Sequence, residues 1–305
     1  MEKKTTVLIT GASGLIGTAL TRKLLNAGYR VKHLGRKRKE IPEVSSYVWN
    51  IEKATIESEA FDGVEYIVHL AGANVGEGRW TAQRKDEILT SRVGSTLLLN
   101  NWLEENQHTV KKIIAASAIG FYGTKQRISP YTEEDLPGKD FMAQVCVAWE
   151  TSVMKGPKNI QKLIYRLGVV LSSEGGAYPK LVQPIKLLAA SPIGSGKQFL
   201  SWVHIEDVCW AMIWGIEQPT MEGIFNLTAP NPVTNAALMQ ALAKAYQKPY
   251  IPFGPPPFAL KMLLGEQADM VLEGVAVNSE KLLKHGFEFR YSRIEDALEN
   301  LKQKI

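Results

Sequence analysis

Within its first seventeen positions the chain passes from an apolar run, Thr6-Val7-Leu8-Ile9-Thr10, straight into Gly11-Ala12-Ser13-Gly14-Leu15-Ile16-Gly17, and from there into an amphipathic stretch. A GxxGxxG pattern between a strand and a helix has few structural solutions. Gly11 permits a tight turn, Gly14 removes a side chain where another group must come close to backbone, and Gly17 lets the helix lie against the strand. The amides of Leu15, Ile16 and Gly17, with Ser13 beside them, then open the helix without intrahelical acceptors. That is a setting for an anion such as a pyrophosphate.

The next segments repeat the same alternation. Residues 29–34, 47–49, 66–70, 112–116 and 162–170 read as strands, and residues 18–27, 81–106 and 141–154 as helices. This rhythm predicts an α/β fold, a Rossmann-type doubly wound parallel sheet with helices on both faces. The second half changes character. Turns occur at Gly175-Gly176 and around residues 192–196 and 252–257, followed by helical patterns at 236–246, 257–264 and 292–302. The expected organisation is a nucleotide-binding domain over residues 1–170 and a smaller substrate lobe over 171–305. Residues 197–228 should return to the first domain, with the chain rejoining the large sheet near 202–214.

The second strand ends His33-Leu34-Gly35-Arg36-Lys37. An acid there would bind the ribose hydroxyls of NAD. Gly35 and Arg36 offer instead an open backbone and a guanidinium suited to an extra phosphate, so NADP(H) is the expected cofactor.

Composition excludes several other classes. The chain has 305 residues, 45% of them hydrophobic, enough to bury a core. Its net charge of +5 has one dense cluster, Arg36-Lys37-Arg38-Lys39, which reads as a solvated loop and not a nucleic-acid site. Two cysteines, Cys146 and Cys209, make neither a disulfide framework nor a metal cluster. No apolar stretch reaches membrane-spanning length and no secretory leader is evident, so a soluble cytoplasmic protein is expected. No GxSxG elbow surrounds Ser117, and no metal-ligand spacing occurs.

The GxxGxxG spacing resembles the short-chain dehydrogenase/reductases, whose extended branch includes nucleotide-sugar epimerases and dehydratases. Further matches follow in order: His69-Leu70-Ala71-Gly72-Ala73, Ser117-Ala118-Ile119-Gly120-Phe121-Tyr122-Gly123, Gly194-Ser195-Gly196-Lys197-Gln198 and Trp202-Val203-His204-Ile205-Glu206-Asp207. The closing stretch, from Pro255 through Leu263-Leu264-Gly265-Glu266 to Gly286-Phe287, resembles an atypical epimerase-family subgroup. The resemblance implies that Leu70, Ala71 and Gly72 pass under the cofactor and that Asn50 lies near the adenine. It also implies that Glu87 and Arg92, on the long helix, lie near the cofactor. Homodimerisation is implied by the same analogy.

Family chemistry uses a Ser, a Tyr, and a Lys four residues after the Tyr; the Tyr moves the proton and the Lys lowers its pKa. Anchored on Glu150, the Lys position here holds Cys146 and the Tyr position Met142. Neither side chain can replace the lost group. Ser117 remains the candidate for orienting a substrate oxygen. Tyr122 is the candidate substitute acid, with Tyr131 and Glu133 behind it. Leu200, Ser201 and Trp202 fill the stretch where the resemblance would put a phosphate-gripping arginine, which disfavours a nucleotide-sugar substrate. His204 and Asp207 read as loop-fixing residues, and Trp202 as the pocket candidate in an otherwise core-forming aromatic set. The expected function is NADP(H)-dependent reductase or epimerase-like chemistry on a small molecule. The alternative is a non-catalytic NADP(H)-binding redox sensor.

Overall fold

The computed structural model describes residues 5–187 and 190–304. The first half supplies strands β1 (Thr6–Thr10), β2 (Arg30–Gly35), β3 (Val44–Asn50), β4 (Thr55–Ile56), β5 (Tyr66–His69), β6 (Lys112–Ala118) and β7 (Gln161–Leu167). Helices α1 (Leu15–Asn26), α2 (Ala82–Glu105) and α3 (Phe141–Met154) lie between them. Beyond Gly168 come β8 (Val169–Ser172), β9 (Gly175–Gly176), α4 (Ala177–Leu187), β10 (Phe199–Leu200), β11 (Trp202–His204), α5 (Ile205–Glu217) and β12 (Gly223–Leu227). The remainder is β13 (Val233–Thr234), α6 (Asn235–Tyr246), α7 (Pro257–Leu264), α8 (Asp269–Leu272), α9 (Glu280–Lys284) and α10 (Ile294–Gln303).

Eight strands form one sheet in the order β12-β7-β6-β5-β1-β2-β3-β4. Every pairing in it is parallel except β3 with β4. All five residues of β1 are buried, as expected of a strand with helices on both faces. β1 lies between β2 and β5, so successive crossovers leave it in opposite directions. That topological switch opens a crevice at the carboxyl ends of β1 and β5.

One boundary differs from the sequence reading. The run 162–170 is two strands, not one. β7 stays in the large sheet, whereas β8 pairs with β11 and β9 in a separate three-stranded sheet. Gly168 makes the break: a Cβ there would lie 2.7 Å from the Ser201 carbonyl oxygen. The segment 202–214 returns to the large sheet by packing and not by strand pairing: α5 lies against β6, and the Tyr165 hydroxyl of β7 donates to the Ala211 carbonyl. β11 pairs with β8, and α5 packs across α1; the strand that rejoins the sheet is β12, parallel to β7. Trp202 is fully buried in the core of the smaller lobe, with its indole N–H on the Asn231 carbonyl, so its role is packing. Asp207 accepts the backbone N–H groups of Arg290 and Tyr291 at 2.8 and 3.1 Å, clipping the C-terminal segment onto α5. His204 accepts the Glu206 amide and stacks on Tyr291. Among the described residues no helix is long and apolar enough to cross a membrane.

Candidate functional site

The glycine turn sits at the mouth of the crevice. Gly14 is the residue before α1 and no side chain caps the helix. The first intrahelical bond runs from the Thr18 amide to the Gly14 carbonyl at 2.9 Å, so the Leu15, Ile16 and Gly17 amides have no acceptor within the helix. No acidic residue stands in the first turn. Gly11 has φ +67°, and a Cβ on it would lie 2.5 Å from the Leu70 carbonyl oxygen. A Cβ on Gly17 would lie 2.5 Å from Ala12 Cα. Only glycine permits both approaches. Ser13 and Gly14 are exposed. Leu70 and Ala71 are held beside the turn, donating their amides to Thr10 Oγ1 at 3.2 and 3.3 Å.

The hydrogen bonds around His69 continue inward from there. Thr10 Oγ1 already accepts two amides, so its proton goes to His69 Nδ1 at 2.7 Å. Thr96 Oγ1 donates to the Arg92 carbonyl, so it accepts from His69 Nε2 at 3.0 Å. His69 is therefore a neutral imidazole with both nitrogens satisfied. Burial pushes its pKa down from 6.5 to about 4.

At the tip of β2, Arg36 is exposed and has no hydrogen bond or ion pair among the described residues. Its neighbour Arg38 is occupied by Glu57 at 2.8 Å. Glu57 in turn accepts the Val48 amide at 2.9 Å, which fixes the base of the loop. Asn50 accepts the Lys53 amide at 2.9 Å, so its side-chain oxygen serves the local turn.

The two expected site residues of the long helix differ in burial, Arg92 being covered and Glu87 half exposed. Arg92 covers Gly72: a Cβ on Gly72 would lie 3.0 Å from Arg92 Cζ. The guanidinium donates to the Ile88 carbonyl and lies 5.0 Å from the Trp149 ring centroid. It has no carboxylate partner among the described residues, and burial lowers its pKa. Glu87 is half exposed and pairs with Arg84 at 2.6 Å, and the same Arg84 guanidinium donates to the Asn74 carbonyl in the loop after β5.

Ser117 and Tyr122 belong to a buried network. Ser117 Oγ donates to Glu150 Oε1 at 2.6 Å. Arg166 donates to both oxygens of the same carboxylate, each at 2.8 Å, and its Nη1 donates to Tyr122 Oη at 3.0 Å. Tyr122 in turn donates to Asn226 Oδ1 at 2.6 Å. Asn226 gives its amide to Glu133 and its Nδ2 to the Asn278 carbonyl. The Phe121 ring lies against the Arg166 guanidinium, 3.4 Å from its Cζ. Glu150 and Arg166 have side chains only 6% and 3% exposed. Desolvation pushes the Tyr122 pKa up to about 12. The sequence reading missed Arg166 and Asn226. The available signal was an arginine inside an otherwise apolar strand, Leu163-Ile164-Tyr165-Arg166-Leu167. Cys146 is buried too, and desolvation raises its thiol to about 12. Tyr131 stacks on Tyr122. Among the described residues no group of His, Cys, Asp or Glu side chains could hold a metal.

Comparison with known proteins agrees with this architecture. Residues 7–228 match the model of the NAD dependent epimerase/dehydratase family, and residues 255–301 match a domain of unknown function (DUF1731). The chloroplastic epimerase family protein SDR39U1 homolog of Arabidopsis thaliana is 34% identical, over 99% of this chain and 88% of its own length. The epimerase family protein YfhF of Bacillus subtilis is 33% identical, covering 97% of each chain. The human epimerase family protein SDR39U1, solved with NADPH, superimposes with a TM-score of 0.88 at 28% identity, over 99% of this chain and 100% of that one.

Proposed function

Because the chain belongs to the NAD-dependent epimerase/dehydratase family, we propose that it binds NADP(H) and serves as an oxidoreductase or epimerase-like enzyme on a small molecule. The observation that carries the cofactor choice is at the tip of β2, where an unpaired guanidinium, Arg36, stands in place of an acid. The cradle fits a dinucleotide: Gly11 and Gly17 are sites that a Cβ would fill, and the opening amides of α1 have no partner in the helix. In this reading Gly14, Leu15, Ile16 and Gly17, with Ser13, hold the pyrophosphate. Gly35 and Arg36 hold the 2′-phosphate, and Leu70, Ala71 and Gly72 form the floor, with Arg92 behind Gly72. Glu87, half exposed and paired with Arg84, stays a candidate at the rim of this floor. NADPH, when bound, supplies a hydride.

The chain's own proton chemistry is sparse. The Tyr122 hydroxyl donates to Asn226 and has a raised pKa, so Tyr122 gives up the role of substitute acid. The single proton of Ser117 goes to Glu150, so toward any third group Ser117 can only accept. A substrate group or water would have to supply the proton.

The test is calorimetric. Protein freed of nucleotide should bind NADPH more tightly than NADH, and Arg36→Ala should weaken NADPH by roughly tenfold or more while leaving NADH nearly unchanged. Equal losses for both would reject the assignment. The same sparse proton chemistry favours a second reading, a non-catalytic NADP(H)-binding redox sensor. Met142 cannot titrate and the Cys146 thiol is raised to about 12. A sensor would show no NADPH oxidation across a panel of carbonyl compounds and would retain partners differently with NADP⁺ and NADPH; turnover on any panel member removes this reading.

A further inference from the structure

The outer side of the glycine turn is covered by a segment that carries no role so far. The β8–β9 hairpin crosses directly over the start of α1. A Cβ on Gly176 would lie 3.1 Å from Leu15 Cδ2, and one on Gly175 would lie 3.4 Å from Leu15 Cδ1. Gly176 has φ +75°, so the backbone turns there in a conformation suited to glycine. The hairpin is fastened to α1 by the Arg22–Glu174 ion pair at 2.6 Å. That pair also gives Glu174, the acid of the hairpin, a counter-charge.

The chain then enters α4, and the first turn of that helix carries Lys180. The Lys180 ammonium reaches across to the loop that follows β5. Its Nζ lies 3.8 Å from the Cβ position of Gly76. Among the described residues it has no hydrogen bond and no ion pair. An acid is close by, yet Glu77 is bonded to Asn74 Nδ2 at 2.8 Å instead. A cation in the first turn of a helix is disfavoured by the helix dipole, and neither α1 nor α4 has an acid in its first turn. Neither helix start therefore carries its own acid to offset its dipole, and Lys180 adds a cation beside Gly76, on the side of the loop that follows β5.

We infer that Lys180 is a cofactor-binding residue, contributed by the smaller lobe, whose ammonium pairs with the pyrophosphate of the dinucleotide held at the α1 turn. The inference rests on the proposed NADP(H) site, but it concerns a different part of the ligand from Arg36. Arg36 reads the phosphate that distinguishes NADPH from NADH. Lys180 reads the diphosphate that both share, so the two residues have separable signatures.

Calorimetry on Lys180→Ala checks this. The affinities for NADPH and NADH should fall by the same factor, roughly tenfold, the size of one charge-assisted contact. Adenosine 2′-monophosphate lacks the pyrophosphate, and its affinity, measured by competition, should stay unchanged. Lys180→Arg should recover most of the loss. The thermal midpoint of the alanine variant should match the parent, because the side chain is exposed and makes no contact that folding needs. If Lys180→Ala binds NADPH as tightly as the parent, or loses adenosine 2′-monophosphate as strongly as NADPH, the inference is wrong. If the parent binds neither dinucleotide, the underlying cofactor site fails instead, and this inference with it.

Discussion

At the tips of β1 and β2 the amides of Leu15, Ile16 and Gly17 have no acceptor in their helix, and the Arg36 guanidinium has no partner among the described residues. At the tips of β6 and β7, Ser117, Glu150, Arg166, Tyr122 and Asn226 bond to one another and are almost fully buried. Both clusters are rich in groups that do chemistry elsewhere, and they lie along the same edge of one sheet. The difference is in how their hydrogen-bonding capacity is used. An exposed donor without a partner is available to a ligand at little desolvation cost. A buried donor already bonded to a charged partner would have to break that bond first. Satisfaction, more than residue type, separates the binding region from the scaffold.

The harshest way to break the comparison is to remove a carboxylate from the closed cluster. Glu150→Ala leaves Arg166 buried without its counter-charge, which should cost about 3–5 kcal/mol in chemical denaturation. Soluble variant, where recovered, should still bind NADPH as the parent does. Replacing both partners, Glu150→Met with Arg166→Met, should recover much of the stability, because no unpaired charge remains. A loss below about 1 kcal/mol for Glu150→Ala would mean the cluster is not the scaffold described here.

His69 lies between the two regions and sharpens the contrast through pH. Its folded pKa is depressed to about 4 against 6.5 for the free imidazole. The group is neutral in both states above pH 6.5, so its contribution is fully present there. As pH falls below 6.5 the unfolded chain takes up a proton that the folded chain resists, and stability declines until about pH 4. The full decline attributable to His69 is about 3 kcal/mol. His33 and His204 are lowered likewise and add to the slope. Urea unfolding at a series of pH values should show His69→Asn with a shallower slope between pH 6.5 and 4 than the parent. Parallel slopes would contradict the neutral, buried imidazole.

How much of this was legible in the sequence follows the same division. The glycine turn, β1 and the missing acid after β2 are local: each is written in consecutive residues, and steric need fixes it. The break at Gly168 was not legible, because what forces it is the Ser201 carbonyl from a distant strand. The return of residues 202–214 to the sheet was legible in their apolar and aromatic content, but its form, a helix buried on nearly every side, was not, because such burial erases the periodicity that marks a surface helix. Ser117 and Tyr122 looked catalytic in one dimension because their partners are remote: Glu150 is 33 residues from Ser117, and Asn226 is 104 residues from Tyr122. Only folding reveals that their hydroxyls are engaged. Lys180 gave no signal at all, since one lysine on an amphipathic helix is ordinary until its reach toward Gly76 is seen.

The mildest test concerns Ser117, where the two readings of one residue separate. A serine that orients a substrate contributes to turnover and little to folding. A serine that donates to a buried carboxylate contributes to folding and nothing to cofactor affinity. Ser117→Ala removes one charge-assisted donor, but Glu150 keeps both bonds from Arg166, so the cost stays near 1 kcal/mol and well under that of losing Glu150. Denaturant unfolding should register that loss, while NADPH titration should give the parental affinity. Ser117→Ala with parental stability would return the residue to the candidate site and move the boundary between open and closed regions by one strand tip.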